Sequence, residues 1–443
     1  MQAFQEAAVL RKTAMRIIPL MFILYIVSFI DRTNVGFAAL QMNHQIGLTP
    51  AMYGLGAGIF FIGMCPFEVP SNLMMVRFGA RVWLTRIMIA WGLVTLATSM
   101  VTGPHSFYAM RFLLGISEAG FFPGVLFYLT FWFPREHRTR IIARFMISLP
   151  IAAAIGGPVS SFVLQAFDGV LGLPGWRWIF IVEGIPAVLM AFVTYRILLD
   201  RPSQAPWLEP AERQWLQAKI DRELSEDQAH GATAVMATLL DWRTLLITFT
   251  GICFVIGFYG AGFWLPQIIK TFHVSTLQVG LLSALPNALG AIAMLLWARR
   301  CRRRGGMRLS DVVLPQLLSC VAFIVAALYL SQPVIAMSAF CVAMIGLYAS
   351  MPPYWTLPTM FFSGTSAAAA LAFVNAVSNL GGFFGPAIIG FLTQSTGSFK
   401  LAVATLGVFV LIGALALLVL LPAFATRRMA GTSDALLMEG QSA

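Results

Sequence analysis

Hydrophobic residues along this chain occur in long runs that short polar turns separate. A helical run of about 20 apolar residues crosses the ~30 Å of hydrocarbon in a bilayer. Twelve such runs are predicted, at 17–38, 53–76, 83–102, 107–130, 141–167, 176–198, 245–270, 276–298, 311–331, 333–356, 366–394 and 399–422. The longest polar stretch, 199–241, divides them six and six. Within it, EPAERQWLQAKIDREL predicts a surface helix with Trp215, Leu216, Ile220 and Leu224 on its apolar side.

The two sets of six runs resemble each other. GGPVSSFVLQ at 156–165 and FGPAIIGFLTQ at 384–394 share a Gly-Pro pair, a small apolar stretch and a final Gln. Pro158 and Pro386 are 228 positions apart, and the same offset carries the start of the first run, 17, to the start of the seventh, 245. This repeat predicts an all-α membrane protein with two six-helix bundles related by pseudo-two-fold symmetry and a site near the midplane between them. The predicted domains are 1–198, a linker at 199–243, a second bundle at 244–423 and a tail at 424–443.

Composition and charge support a membrane protein and fix its predicted orientation. The chain is 59% hydrophobic and 11% charged, with a net charge of +11. Most of its 29 Lys and Arg residues fall in the amino-terminal tail, 77–86, 135–144, 196–243, 299–308 and the carboxy-terminal tail. These segments lie on one side of the predicted bilayer, and basic residues mark the cytoplasmic side. Both termini are therefore expected in the cytoplasm, and the chain is expected in the cell inner membrane. RRCRRRGGMR at 299–308 could instead bind nucleic acid or lipid, but its place between two spans favours topology.

Cysteine spacing and enzyme motifs exclude several classes of protein. The five cysteines show no metal-ligand or CxxC spacing, so neither a disulfide nor a metal site is expected. The chain contains no Walker lysine motif, HExxH or GxSxG. It is therefore predicted not to be an enzyme, and no nucleic-acid partner is expected.

Apart from residues at span ends, the ionisable residues inside the predicted spans all belong to the first half of the chain. They are Asp31, Arg32, Glu68, Arg111, Glu118 and Glu183. A charge at bilayer depth costs at least ~2.5–3.5 kcal/mol, so each needs a partner or a function.

Asp31 and Arg32 are adjacent, so they diverge by about 100° on a helix and face different partners. Arg32 can bind a carboxylate through two hydrogen bonds, and a buried Asp31 can take up and release a proton near neutral pH. The alternative is a purely structural pair that neighbouring helices satisfy.

Arg111 and Glu118 are seven positions apart in RFLLGISEAGFFPG, which places them on one helical face about 10 Å apart. Glu118 is a second candidate proton site, or a structural partner of Arg111. Glu68 and Glu183 are expected to form structural or gating pairs with loop arginines.

The second half offers neutral polar and aromatic groups in its spans instead of charges. These are Tyr259, Trp264, Gln267, Asn287, Tyr354, Trp355, Asn375 and Asn379. The asymmetry indicates charge handling in one bundle and recognition by shape and hydrogen bonds in the other.

Six motifs in order resemble the major facilitator superfamily, and within it the anion:cation symporter family of organic-anion transporters. They are FIDRTNVGFA, FEVPSNLMMVRFGARVWLTR, RFLLGISEAGFFPGVLFYLTFWFP, GWRWIFIVEGIPAVL, YGAGFWLPQIIK and YWTLPTMFFSGTSAAAALAFVNAVSNLGGFFGP. By this resemblance Asp31 and Glu118 match proton-carrying acids, and Arg32 matches the substrate-binding arginine. Arg111 matches an arginine that restrains Glu118, while Tyr259 and Asn375 or Asn379 match polar positions that line the site.

The chain departs from the family pattern at two places. The loop motif RFGAR lacks the usual aspartate, so the gating contact is expected to rely on Arg77 and Arg81 with other acids. Phe29 and Ile30 precede the Asp-Arg pair, where some members use a tyrosine.

The sequence therefore predicts a monomeric importer of a small organic carboxylate, driven by proton symport with alternating access and using no cofactor besides the coupling proton. Substrate contacts are expected from Arg32, Tyr259, Trp264, Gln267, Tyr354, Asn375 and Asn379. A tartrate-like hydroxy acid, a sugar acid and a hydroxyphenylacetate-like aromatic acid all remain possible substrates. The alternative function is a proton-independent organic anion exchanger or facilitator, which would need no titrating carboxylate.

Overall fold

The structure is a computed structural model that describes residues 2–228, 232–304, 307–362 and 364–422. Apart from two short 3-10 turns, the regular structure of these residues is α-helical. The helices are α1 Gln2–Thr33, α2 Val35–Gln45, α3 Pro50–Phe78, α4 Ala80–Thr98, α5 Pro104–Glu118, α6 Phe121–Thr130, α7 Arg135–Met146, α8 Ser148–Ala166, α9 Gly175–Ile197, α10 Pro210–Gln228, α11 Ala232–Leu239, α12 Trp242–Lys270, α13 Thr276–Arg303, α14 Ser310–Leu328, α15 Pro333–Phe361, α16 Gly364–Ser378, α17 Gly381–Thr396 and α18 Phe399–Leu418.

Twelve helical stretches of the described residues are long and apolar enough to cross a membrane, and they confirm the twelve predicted spans. In hydrocarbon every backbone N–H and C=O must be satisfied within the segment, and a helix does this. The spans are Glu6–Gln45, Pro50–Phe78, Ala80–Thr98, Pro104–Thr130, Arg135–Ala166, Gly175–Ile197, Trp242–Lys270, Thr276–Arg303, Ser310–Leu328, Pro333–Phe361, Ala369–Thr396 and Phe399–Leu418.

Several spans begin at residues that suit a helix start. Pro50, Pro104 and Pro333 occupy the first turn, where a missing N–H costs nothing. The side chains of Thr49 and Ser275 accept hydrogen bonds from the first-turn amides of Met52 and Gln278. These signals explain why the span boundaries follow the polar turns of the sequence.

Four of the spans consist of two helices each, which hydrophobic periodicity does not predict. Span one breaks at Asn34, span four at Ala119 and Gly120, span five at Ile147, and span eleven at Asn379 and Leu380. Gly120 has a φ of +82°, a left-handed conformation that favours glycine. A Cβ atom there would lie 2.3 Å from Ser71 Oγ, so the close approach of span two also requires glycine.

The spans pack as two groups of six, and two equivalent helix pairs form the largest contacts between them. Spans one to six form the first half and spans seven to twelve the second half. Between the halves, α8 packs against α13 and α3 packs against α17. Under the predicted six-span repeat, the pair of spans five and eight is equivalent to the pair of spans eleven and two. The two-bundle fold is thus confirmed, whereas the exact domain limits remain a prediction and the tail at 424–443 lies outside the described residues.

The two halves approach each other closely at one end of the molecule. We call the end with the loops at 79, 131–134 and 307–309 the basic end. At the opposite end, Asn43 Nδ2 donates to Gln267 Oε1 at 3.3 Å and the Ala51 amide donates to Gln394 Oε1 at 3.1 Å. A Cβ atom on Gly54 would lie 2.3 Å from the Pro386 carbonyl oxygen, so backbones touch there. The end opposite the basic end is therefore closed.

The predicted surface helix forms, as α10, and it packs on the first half. Leu216 and Ile220 are buried on its apolar side, which confirms that part of the prediction, while the side chain of Leu224 lies outside the described set. Lys12 Nζ lies 2.7 Å from Glu212 Oε1 and Arg138 Nη2 lies 3.0 Å from Glu223 Oε2. Desolvation raises the pKa of Glu212, but the hydrogen bond and charge of Lys12 and the hydrogen bond from the Glu209 amide together outweigh it, so the pKa is lowered from its usual value. The linker is thus anchored to one bundle.

Candidate functional site

An ion pair between Arg32 and Glu118 lies at the centre of the candidate site. Arg32 is in the last turn of α1 and Glu118 is the final residue of α5, beside the break in span four. Arg32 Nη2 donates to Glu118 Oε1, and the two residues are 6% and 2% exposed. Removing one partner of a buried ion pair leaves an uncompensated charge and typically costs about 3–5 kcal/mol. Loss of either partner alone would therefore leave an unbalanced charge between spans one and four.

Two hydroxyl groups complete the immediate surroundings of this pair. Ser28 Oγ donates to Glu118 Oε1 at 2.6 Å, from one turn before Arg32. Arg32 Nη1 donates to the Tyr259 hydroxyl at 3.2 Å. Tyr259 lies on span seven, so this hydrogen bond crosses from one half to the other. Of the residues expected to line the site, Tyr259 is the one that the structure brings to Arg32.

Arg111 lies near the pair but does not bind Glu118 in this structure. It is fully buried, and its Nη2 donates to the Ala57 carbonyl at 3.4 Å. The Cζ atoms of Arg111 and Arg32 lie 5.1 Å and 5.3 Å from the ring centroid of Phe60, both within cation–π range. Among the described residues, Nε and Nη1 of Arg111 and Nε of Arg32 have no hydrogen-bond acceptor. This structure therefore does not contain the alternative pair of Glu118 with Arg111, and the site has three buried N–H donors that an anion could use.

Asp31 points away from this pair into a polar cluster inside the first half. Its two carboxylate oxygens accept hydrogen bonds from Asn34 Nδ2 at 3.2 Å and Thr95 Oγ1 at 2.7 Å. Asp31, Asn34 and Thr95 are each 1% exposed. The adjacent residues Asp31 and Arg32 thus face different partners, as their helical spacing predicts.

Glu68 and Glu183 have neutral partners, which corrects the prediction of pairs with loop arginines. Asn375 Nδ2 donates to Glu68 Oε1 at 3.3 Å, between spans eleven and two. Ser160 Oγ donates to Glu183 Oε1 at 2.7 Å, between spans five and six. No arginine or lysine of the described segments forms an ion pair with either acid. Both acids are buried at span depth, where the long loop arginines do not reach.

A cavity between the halves adjoins Tyr259. Its wall includes Phe29, Thr33, Tyr259, Ser283 and Asn287, together with further apolar residues of spans five, seven and ten. Ser283 Oγ is buried and has no hydrogen-bond partner among the described residues. Asn287, which the sequence singled out only as a polar residue in a span, thus lines the cavity. A ligand held by Arg32 could extend into this space.

Three of the expected substrate-binding residues contact other parts of the protein. Trp264 is fully buried and donates from Nε1 to the Pro386 carbonyl at 3.1 Å. Gln267 belongs to the contact with Asn43 at the closed end. Tyr354 is 1% exposed and donates to the Ile247 carbonyl at 2.7 Å inside the second half. Trp264 and Tyr354 therefore serve packing, because aromatic residues with a satisfied polar tip are stable in helix interfaces.

Asn379 and the loop arginines occupy different environments. Asn379 is half-buried at the break in span eleven, one turn after Asn375. Arg77 is exposed, with its Cζ 5.5 Å from the ring centroid of Phe78.

Asp200 supplies the acid that the loop motif lacks. Asp200 Oδ1 accepts a hydrogen bond from the Arg81 amide at 2.9 Å, at the start of α4. The Arg81 side chain donates from Nε to the Tyr195 carbonyl at 2.6 Å. Sequence reasoning missed Asp200 because it lies 119 positions away from Arg81.

Comparison with known proteins gives the family of this chain. The Major Facilitator Superfamily profile matches residues 21–369. The chain belongs to the major facilitator superfamily. This membership confirms the resemblance drawn from the six motifs, and the members of this family are membrane transporters.

Curated relatives of this superfamily member are transporters that it matches over most of their length. A "Putative tartrate transporter" of Agrobacterium vitis is 43% identical over 94% of this chain and 92% of its own length. A "Quinolone resistance transporter" of Acinetobacter baumannii is 42% identical over 92% of this chain and 94% of its own length. "Inner membrane transport protein RhmT" of Escherichia coli is 34% identical over 86% of this chain and 87% of its own length. These names agree with a superfamily member that transports small molecules.

Solved structures of other superfamily transporters share the fold. A bacterial homologue of the human lysosomal transporter Spinster, in an inward-facing and occupied conformation, gives a TM-score of 0.75 at 16% identity. It covers 91% of this chain and 95% of that chain. The xylose transporter XylE from Escherichia coli, in a partially occluded inward open conformation, gives 0.73 at 16% identity and covers 91% and 96%. Both are similar in overall architecture.

Proposed function

We propose that this protein imports a small organic carboxylate by proton symport. The observation that carries the proposal is the buried pair of Arg32 and Glu118. A substrate carboxylate suits the planar fork of an arginine. In this structure Glu118 already occupies that guanidinium, so the substrate has to compete with it. The relatives named for tartrate support an organic acid as the substrate class.

Competition for one guanidinium couples the anion to a proton. If the anion displaced an ionised Glu118 from Arg32, Glu118 would become a buried and uncompensated charge, at a cost of several kcal/mol. A proton on Glu118 removes that charge and leaves Arg32 free for the anion. Anion and proton therefore enter together, and the occupied site stays electrically balanced while the halves close around it.

A second proton is needed if the membrane potential is to drive uptake. One proton with one monovalent anion moves no net charge, whereas each additional charge contributes about 2.3 kcal/mol per 100 mV. Asp31 is the second proposed acid, and the cluster of Asp31, Asn34 and Thr95 would hold its proton apart from the anion. Arg111, with its free donors beside Phe60, would keep the site electropositive when Glu118 is neutral.

The closed end gives a direction to the proposed cycle. We place the basic end in the cytoplasm, because Lys and Arg mark cytoplasmic loops and a relative is named as an inner membrane protein. The halves then meet at the outer end of this structure, and their rocking exposes the site to each side in turn. Arg32, Glu118 and Tyr259 all come from one chain, so we propose a monomer as the working unit.

Uptake into vesicles tests this proposal. With an imposed proton gradient, wild-type protein should accumulate an organic acid such as tartrate, while Glu118→Gln and Asp31→Asn should lose accumulation. Counterflow should survive in Glu118→Gln, because exchange needs the anion site but no net proton movement. Glu209→Gln, in the exposed linker, is the matched control. Full gradient-driven accumulation in both acid variants would rule out coupling through these acids, whereas counterflow without any gradient-driven accumulation in the wild type would support the proton-independent exchanger.

A further inference from the structure

The basic end of α13 carries a group of arginines that the transport site does not use. Arg299, Arg300, Arg303 and Arg304 line one groove together with Leu296. Arg299, Arg303 and Arg304 are exposed, and Arg300 is half-buried. We call this the arginine groove.

The protein itself offers little negative charge to balance this groove. Between residues 242 and 422 the sequence contains nine Lys or Arg residues and a single acid, Asp311. The Asp311 side chain is 4% exposed, and its Oδ2 accepts a hydrogen bond from the Arg308 amide at 2.8 Å. Across the described residues, no ion pair involves any arginine of the groove. Within the part of the chain that the structure describes, no acid neutralises the groove, so an external anion can supply its counter-charge.

An apolar strip on the same helix shows where the groove lies in the bilayer. Large hydrophobic side chains that are 38–57% exposed follow one face of α13, namely Leu277, Leu281, Leu285, Ile292 and Leu296. At 1.5 Å per residue, Leu277 to Leu296 span about 28 Å, close to the thickness of the hydrocarbon core. Arg299 and Arg303 continue this face by one and two turns. They consequently lie at the depth of the lipid headgroups.

Trp297 supports the same depth. Tryptophan is enriched at the boundary between hydrocarbon and headgroups, where its ring is apolar and its N–H finds a partner. Trp297 Nε1 donates to the Asp311 carbonyl at 2.9 Å, and Arg300 Cζ lies 4.2 Å from its ring centroid. The ring thus holds Arg300 against the helix at this boundary.

We propose that the arginine groove binds the phosphate of an anionic phospholipid headgroup, with the acyl chains of that lipid packed along the apolar strip. Guanidinium groups bind phosphate oxygens through paired hydrogen bonds, and basic clusters at the cytoplasmic membrane surface attract anionic lipids. The sequence alone favoured topology as the role of these arginines. The structure adds their shared groove, their alignment with the lipid-facing strip and the missing acids.

Lipid binding to matched double variants tests the proposal. Native mass spectrometry of the purified full chain would measure phosphatidylglycerol against phosphatidylcholine. Arg299→Gln with Arg303→Gln should weaken phosphatidylglycerol binding roughly tenfold and leave phosphatidylcholine binding unchanged. The control pair, Arg302→Gln with Arg308→Gln, removes the same amount of charge from neighbouring positions that do not line the groove. It should change binding less than twofold.

Two outcomes would overturn the assignment. Equal weakening by both pairs would mean that the lipid responds to overall charge and not to a site. The second outcome is that millimolar inorganic phosphate displaces the lipid from the wild type and the control pair but has no effect on the groove pair. That result would assign the groove to free phosphate instead. A circular dichroism spectrum and an elution volume equal to wild type would show that each variant is folded.

Discussion

Arg32 connects the two halves of the protein through its two terminal nitrogens. Nη2 binds Glu118 within the first half, and Nη1 binds the Tyr259 hydroxyl of the second half. Any movement of one half relative to the other changes the Tyr259 contact, while the Glu118 contact moves with the first half. Arg32 is thus placed to respond both to the charge of Glu118 and to the position of span seven.

Tyr259→Phe should weaken anion binding without unfolding the protein. The variant removes one hydrogen bond to Arg32, worth about 0.5–1.5 kcal/mol, or roughly a two- to tenfold loss of affinity. Calorimetric titration with the transported acid would measure it. Tyr354→Phe is the control, because the Tyr354 hydroxyl binds the Ile247 carbonyl inside the second half. The Tyr354→Phe control should lower thermal stability and leave anion affinity unchanged. An equal loss of affinity in both variants would contradict a role of the Tyr259 hydroxyl in anion binding.

The sequence could predict which residues are exceptional but not all of their partners. Asp31, Arg32 and Glu118 stand out because charges are rare and costly at bilayer depth. The ion pair of Glu118 with Arg32 was not predicted, because helical spacing offered Arg111 as the structural alternative. Ser28 carried no signal, since a serine in an apolar span is common. The preference of Glu118 for Arg32 depends on how span one packs against span four, which no local pattern contains.

At the scale of the helix, the break in span four positions Glu118. α5 ends at Glu118, and Gly120 turns the chain in a left-handed conformation before α6 begins. The break places the carboxylate at a helix terminus, where it contacts Ser28 and Arg32 of span one. Hydrophobic periodicity predicted an unbroken span at 107–130, because both helices are apolar and the break adds no polar residue. Only the Gly120 position hints at it.

Gly120→Ala should destabilise the protein, and Gly262→Ala should not. A side chain in the left-handed region costs about 1–2 kcal/mol, and the new methyl group would also press on Ser71 Oγ. Gly262 lies within α12, and no atom lies within 4 Å of the position that an alanine methyl group would take, so alanine there should stabilise the helix slightly. Thermal unfolding in detergent, followed by intrinsic fluorescence, would measure both. Equal midpoints for the two variants would show that the turn at Gly120 carries no strain.

At the scale of the whole molecule, glycine and proline let the halves touch at one end. Gly54 approaches the backbone at Pro386 and Gly390, and Gly157 approaches the backbone of Gly280. These two contacts belong to the span pairs that the internal repeat makes equivalent. The repeat around Pro158 and Pro386 predicted the two bundles, although no pattern along the chain indicates which end would be closed. That choice depends on the relative energy of two whole-molecule conformations.

Cross-linking the closed end should stop transport reversibly. Ala51 and Gln394 meet there through a hydrogen bond of 3.1 Å between amide and side chain. In Ala51→Cys with Gln394→Cys, an oxidant should form a disulfide and abolish counterflow, and a reductant should restore it. The single-cysteine variants under the same oxidant control for the native cysteines. Undiminished counterflow by the fully cross-linked protein would show that this end need not open.

Proton uptake on anion binding tests the central exchange at Arg32 most directly. Calorimetric titration in buffers of different ionisation enthalpy gives the protons bound with each anion. At neutral pH the wild-type protein should take up about one proton per anion, since binding transfers Arg32 from Glu118 to the substrate. Glu118→Gln should bind the anion with a smaller proton uptake, lower by about one proton. Proton uptake that is zero in the wild type, or equal in the two proteins, would contradict the account.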